Sequence, residues 1–174
     1  VDELKNAVEL FFEILKDTGE IDQVGFVRYS TQAEMVVELS FDYDNINTDL
    51  LNTKATAWTN IGEGMEFARH ELEDHGREYA MKMMVIMTDG KVNKPANRDP
   101  RGYVLEEAKL AADSNIQLVT VSFGSDADKS LMQDVADIGN GTFFNVDNGV
   151  AEKENGLRAV FEKIATRRPV VLVD

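Results

Sequence analysis

Polar side chains follow several of the apolar runs in this sequence. Two polar residues, Asp89 after one such run and Thr59 in a separate loop, carry oxygen atoms suited to binding a metal. Asp89 closes the apolar run at residues 81–87, and Thr59 lies in a loop before a predicted helix. Ligands of open α/β sheets bind at the carboxyl ends of the strands. Oxygen donors there suit a hard cation, Mg²⁺ or Mn²⁺, with Ca²⁺ as a third candidate. Spacing alone favours simpler roles, Thr59 as a helix cap and Asp89 as a turn residue.

Familiar catalytic and nucleotide-binding motifs are missing from the sequence. It contains no GxGxxG between a strand and a helix, no GxxxxGK[ST] and no GxSxG. The two histidines, His70 and His75, fall on one predicted helix and its end, away from the strand ends. No nucleophile or base is therefore predicted beside Asp89, and we assign no catalytic residue and no enzymatic activity. A hydrolase that uses Asp89 with a metal is the weaker alternative.

Charge and length exclude other classes of function. The chain has 174 residues, enough for one domain over 1–174. Its 18 Lys and Arg against 32 Asp and Glu give a net charge of −14, which argues against binding to nucleic acid or to anionic lipid. No apolar run approaches the roughly 20 residues of a membrane helix, so no direct membrane insertion is expected. The absence of cysteine excludes thiolate chemistry but leaves the compartment open.

The elements that must position Thr59 and Asp89 alternate between helices and strands along most of the chain. Apolar periodicity predicts helices at 3–16, 60–74, 103–115, 130–139 and 156–168. Strands are predicted at 23–30, 34–40, 81–90, 115–125, 141–148 and 169–174. The first two strands are too close for a parallel crossover, so we expect an antiparallel pair. The alternation indicates a doubly wound α/β sheet.

Five segments together resemble a von Willebrand factor type A domain, the fold shared with integrin inserted domains. They are VGFVRYST, ATAWTNIGEGM, MVIMTDGK, IQLVTVSFGS and IGNGTFFNVDN, in family order, and the similarity reaches from residue 1 to about 165. It implies a Rossmann-like, mostly parallel six-stranded sheet with helices on both faces and the strand at 34–40 as its antiparallel edge. It also implies a metal-ion-dependent adhesion site completed by a ligand carboxylate. Thr59 and Asp89 match two of the family's metal ligands.

One part of the family pattern is not found. The family's central strand ends in Asp-x-Ser-x-Ser before the first helix, whereas this sequence begins at that helix. Three arrangements would account for this. Residues upstream of Val1 supply the strand; or PVVLVD fills the central position, with Asp174 as a metal ligand; or PVVLVD is an edge strand and the domain binds no metal. The uninterrupted apolar run favours a strand covered on both faces over an exposed edge.

The resemblance implies a protein partner that presents an acidic side chain, and the residues beside Thr59 and Asp89 are its expected contacts. We select Trp58, Asn60 and Lys91. Trp58 is either an exposed aromatic anchor or a plug between the loop and the helix. The basic loop at 91–101 either steers an acidic partner or is simply solvated. The resemblance favours a bacterial source and leaves localisation open, with the cell surface or secretion slightly favoured.

Overall fold

The computed structural model describes residues 2–17, 22–43, 58–146 and 158–165, without the side chains of residues 2–8. The predicted strand at 169–174, its Asp174 and most of the acidic stretch after Phe41 lie outside these residues.

The described helices and strands follow the predicted order. The helices are α1 (Asp2–Asp17), α2 (Ile61–Asp74), α3 (Pro100–Asp113), α4 (Lys129–Ile138) and α5 (158–165). The strands are β1 (Val24–Tyr29), β2 (Ala33–Ser40), β3 (Lys82–Thr88), β4 (Ile116–Phe123) and β5 (Thr142–Val146). The largest difference from the prediction is the start of α3, three residues early. Asp99 caps this helix by accepting from the Arg101 amide, and Pro100 takes its first position, where a proline costs no hydrogen bond.

Strands β1 and β2 form the expected antiparallel hairpin. Tyr29 pairs with Ala33 next to the turn, and Val24 pairs with Ser40 at the open end. Only three residues join the strands, so a parallel crossover could not have connected them. The prediction of an antiparallel pair is confirmed, and β2 has no second strand partner among the described residues.

Strands β3, β4 and β5 form a separate parallel sheet in that order. β4 lies in the middle, and seven of its eight residues are buried, as expected for an apolar strand covered on both faces. The prediction of one six-stranded sheet is not met within the described residues, which contain five strands in two sheets. The reason is local: β1 bonds only to β2 and β3 only to β4, so each has one edge without a strand partner there.

Helices pack on both faces of the sheets, which confirms the α/β class of the fold. One core lies under α1 and α5, where Phe12 and Phe161 pack with Val121 of β4. The other lies under α2, α3 and α4, where Met65 and Leu131 are fully buried. Both cores include side chains from the hairpin and from the parallel sheet, so the two sheets share their packing although no strand hydrogen bonds join them. This packing brings the end of β1, the start of α2 and the end of β3 together.

None of the helices in the described part of the chain combines the length and the hydropathy needed to span a bilayer.

Candidate functional site

Asp89 lies in the turn that follows β3. The Thr88 hydroxyl holds this turn by donating to the Gly90 carbonyl at 3.1 Å and accepting from the Gly90 amide at 3.3 Å. Thr88 is buried, whereas Asp89 is exposed. The turn is therefore held by a buried hydroxyl and leaves residue 89 exposed to solvent. It lies at the carboxyl end of the parallel strands, and we call this edge of the sheet the rim.

Thr59 lies at the same rim. A Cβ atom added to Gly90 would be 3.3 Å from the Thr59 Oγ1, so this hydroxyl adjoins the turn that carries Asp89. Two backbone contacts hold Thr59 against the loop after that turn. Its amide donates to Asn93 Oδ1 at 2.8 Å, and its carbonyl accepts from the Asn93 amide at 3.2 Å. The structure thus brings the Thr59 hydroxyl to the turn that carries Asp89, 30 positions away in the sequence.

Asn60 is buried at the start of α2 and is 3% exposed. Its side-chain oxygen caps the helix by accepting from the Glu63 amide, and its side-chain nitrogen donates to the Thr31 carbonyl and to Glu63 Oε2. The observed cap is therefore Asn60 and not Thr59. These bonds occupy its amide group, so in this structure Asn60 positions the loop, and its contact with a partner stays a prediction.

Trp58 and the basic loop border the rim. The Trp58 side chain is 48% exposed, and the Lys94 ammonium lies 4.0 Å from its ring centroid. The aromatic ring is therefore partly open to a partner and partly covered by a cation. Lys91 is exposed next to the Asp89 turn.

Only part of the basic loop is available to attract an acidic partner. Arg98 pairs with Glu106, and Arg101 pairs with both Asp128 and Asp134. These ion pairs stay within the domain and offset the arginine charges. Lys91 and Lys94 make no ion pair with any residue in the described ranges, so the positive charge at the rim is concentrated on these two lysines.

Tyr29 packs below the rim and was missed as a structural element of the site. Its hydroxyl donates to the Met87 carbonyl and so connects the end of β1 with the end of β3. Burial raises the pKa of Tyr29 well above its usual range, with the Asp89 charge adding a smaller effect. The phenol therefore stays protonated and keeps its donor. A side chain at Gly64 of α2 would come within 2.7 Å of the Tyr29 ring.

Glu63 was also missed, although the sequence holds a signal for it. Its Oε2 accepts from the Ala33 amide at 2.7 Å as well as from the Asn60 side chain at 2.7 Å. An Asn followed three residues later by a Glu at a helix start is a capping-box spacing. That spacing would have indicated that Asn60 and Glu63 act as a pair.

The two histidines lie away from the rim. His75 contacts Glu71 at the carboxyl end of α2, with 2.8 Å between its Nδ1 and Glu71 Oε2, and His70 is exposed on the same helix. Neither adjoins Asp89.

The donor set at the rim fits part of a metal site. Thr59 and Asp89 provide two hard oxygen donors of the kind that Mg²⁺ and Mn²⁺ prefer. Over the described ranges, no group of three or more His, Cys, Asp or Glu side chains could hold a metal ion. A complete coordination sphere therefore needs further donors, and Asp174, one of those predicted, lies outside the described residues.

Comparisons with known proteins agree with this architecture. The family profile described as von Willebrand factor type A domain matches residues 1–156. No curated protein matches the chain.

Three solved structures illustrate the similarity of fold. A von Willebrand factor type A protein from Catenulispora acidiphila has a TM-score of 0.73 at 18% identity, over 92% of this chain and 37% of its own. BatB, a conserved hypothetical protein from Bacteroides thetaiotaomicron, has a TM-score of 0.68 at 20% identity, and the match covers 92% of this chain and 88% of BatB. Proximal thread matrix protein 1 from the mussel byssus, solved with a zinc-occupied MIDAS motif, has a TM-score of 0.66 at 21% identity, over 92% and 40%.

Proposed function

The chain belongs to the von Willebrand factor type A domain family, whose members are protein-interaction modules, and from this premise we propose that it binds a protein partner through a divalent metal at the rim. The partner would present a carboxylate to the metal, in an adhesion or an assembly role. The observation that carries the proposal is the position of the Thr59 hydroxyl beside the turn of Asp89.

The chemistry of the rim supports Mg²⁺ or Mn²⁺. The Asp89 carboxylate and the Thr59 hydroxyl are hard donors, and such cations keep water or ligand oxygens in their remaining positions. When bound, the metal would supply a positive charge that attracts the partner's carboxylate, and this carboxylate would complete the coordination sphere. Zinc at the MIDAS motif of the mussel byssus protein shows that a relative by fold holds a divalent cation.

The finer part of this proposal is a sixth strand between β1 and β3. Each of these two strands has one edge without a strand partner among the described residues, and both contribute to cores on the two faces, which supports a strand at this position. It would be supplied either by residues encoded before Val1 or by residues 169–174. In the first case an Asp-x-Ser-x-Ser segment would add metal ligands; in the second, Asp174 would.

Trp58 and Lys91 are the proposed contacts of the partner beside the metal. A half-exposed tryptophan offers a large apolar surface, and the Lys91 charge favours an acidic partner on a chain whose net charge is −14. The domain would include all of residues 1–174.

The test measures metal binding by the full-length encoded protein. Wild type should gain thermal stability with Mg²⁺ or Mn²⁺, by about 2.7 kcal/mol at a concentration 100 times the dissociation constant. Asp89→Asn should lose this gain while its metal-free stability changes little, because Asp89 is exposed. Asp126→Asn is the matched control, since Asp126 is an exposed carboxylate after the neighbouring strand, and it should respond to the metal like wild type.

A metal-independent structural or assembly domain is the second candidate. The lack of a cluster of three metal-binding side chains in the described part of the chain favours it. It would be supported if neither cation changes the melting temperature of wild type, and that result would contradict the metal-dependent function.

A further inference from the structure

Asn60, which is buried, and Glu63, which is half-buried, form a pair at the start of α2 that joins three segments of the chain. Glu63 Oε2 accepts from the Ala33 amide, the first residue of β2. The Asn60 side chain donates to the same oxygen and to the Thr31 carbonyl in the β1–β2 turn. Helix, turn and strand are therefore joined through one amide and one carboxylate.

Backbone hydrogen bonds beside this pair connect it to Thr59. The Asn60 amide donates to the Ser30 carbonyl at 2.9 Å, so the residue after Thr59 is fixed to the end of β1. On its other side, Thr59 is held by its two bonds to Asn93. The backbone of Thr59 is thus held on both sides, which limits where its hydroxyl can lie.

The chemical types of the two residues are restricted by these bonds. Asn60 must offer a donor to Thr31 and Glu63 and an acceptor to the helix at the same time, which an amide does and a carboxylate does not. A buried polar group that loses its partner is costly, so the pair should fail as a unit when either member is removed. Glu63 uses a single oxygen for both bonds, so the amide oxygen of a glutamine could replace it.

We propose that Asn60 and Glu63 are positioning residues that hold the Thr59 hydroxyl against the turn of Asp89. The contacts of Asn60 and Glu63 do not depend on a metal. Their role in function rests on the proposed metal-dependent binding. Groups that orient metal ligands commonly change metal affinity by about 10–100-fold when they are removed.

The first experiment tests positioning without metal, by hydrogen exchange on the full-length protein. In Glu63→Ala and Asn60→Asp, the amides of residues 59 and 60 should exchange about tenfold faster than in wild type, with the amides of β4 unchanged. Glu63→Gln should exchange as wild type does. Asp128→Ala is the matched control, because Asp128 caps α4 by accepting from the Leu131 amide, and it should leave residues 59 and 60 unaffected.

The second experiment measures the Mn²⁺ dissociation constant by calorimetry for the same variants. Glu63→Ala should bind about tenfold more weakly, while Glu63→Gln and Asp128→Ala match wild type. If Asn60→Asp fails to fold, the comparison of Glu63→Ala with Glu63→Gln decides the test by itself.

The outcomes separate this inference from the proposed function. Unchanged exchange at residues 59 and 60 in Glu63→Ala overturns the positioning role, whatever the metal does. Faster exchange in Glu63→Ala, together with a wild-type protein that binds no Mn²⁺, supports the positioning role and contradicts the metal-dependent function. Faster exchange with an unchanged Mn²⁺ constant means that the pair does not position a ligand, and it also overturns the inference.

Discussion

The two ends of helix α2 are attached to the hairpin by the same contact and differ in what surrounds it. At the amino end Glu63 accepts from the Ala33 amide at 2.7 Å, and at the carboxyl end Glu71 accepts from the Leu39 amide at 2.8 Å. The second partner of Glu63 is the buried amide of Asn60, whereas that of Glu71 is the largely exposed imidazole of His75.

This difference indicates two uses of one interaction. The amide of Asn60 has no titratable proton, which suits a rim that must hold Thr59 in place. A carboxylate paired with an imidazole responds to protonation, which suits an attachment that contributes to stability alone. The comparison predicts that changes at the amino end affect both stability and the rim, and changes at the carboxyl end only stability.

Gly64→Ala should have the largest effect on this comparison. The added Cβ would lie 2.7 Å from the Tyr29 ring, and such overpacking costs about 1–3 kcal/mol, offset by up to about 1 kcal/mol of helix propensity. The Tyr29 Cγ and Cβ would also lie within 3.2 Å, so the cost should be near the upper end, about 3 kcal/mol. We therefore expect the free energy of unfolding, measured by chemical denaturation, to fall by about 2 kcal/mol.

Gly102→Ala in α3 is the control for Gly64. Its Cβ would meet the Asp99 side chain at 2.6 Å, which can rotate away, so the gain in helix propensity should roughly balance the weakened cap. A Gly64→Ala protein as stable as wild type would mean that Tyr29 moves freely and that the amino end of α2 is not tightly packed.

Glu71→Ala should have the next largest effect and should leave the rim intact. Glu71 is 8% exposed, and its loss leaves the Leu39 amide without an acceptor, at a cost of about 1–3 kcal/mol. Glu71→Gln keeps an oxygen for Leu39 and should recover most of the stability in denaturant titrations. The Mn²⁺ dissociation constant should stay at the wild-type value in both; a tenfold change in Glu71→Ala would erase the distinction between the two ends.

His75 should produce the smallest effect, and one that depends on pH. Its hydrogen bond and charge interaction with Glu71 raise the pKa of His75 above 6.5, with Glu38 and Asp74 adding to the shift. The folded state therefore holds this proton more tightly than the unfolded state. The resulting stabilisation is present below the unfolded pKa and is lost as the pH rises through the folded pKa.

Melting temperatures of wild type and His75→Gln check this expectation. The wild-type advantage should be larger at about pH 5.5 than at about pH 8.5, by roughly 1 °C because the imidazole is exposed. An advantage that grows with pH would show that the pair is not charged in the folded protein.

The secondary structure followed from the sequence because its signals are local. The short connection between β1 and β2 required a hairpin, and the uninterrupted apolar run of β4 predicted a strand covered on both faces. The start of α3 was placed too late because the prolines at 95 and 100 were both assigned to a loop. The second proline is instead the first residue of the helix, next to the Asp99 cap.

The candidate site was predicted in its residue types but not in its organisation. Thr59 and Asp89 were selected as strand-end donors, and the structure brings the Thr59 hydroxyl to the turn of Asp89. Asn60 was selected as a partner contact because it is polar and next to Thr59. Its burial depends on Thr31 and Glu63, and adjacency in sequence carries no information about which side of a loop is covered.

Periodicity, charge and chain spacing determined the helices, the strands, the α/β class and the acidic character of this protein, since each depends on residues close together in sequence. Tertiary packing alone decided that Tyr29 reaches the end of β3, that Asn60 faces inward, and that Glu63 and Glu71 of α2 attach to opposite ends of β2. The physical reason is that a buried polar group must find its partner among whatever the fold places beside it. The contacts that join α2 to the hairpin and Tyr29 to β3 span 29 to 58 positions along the chain.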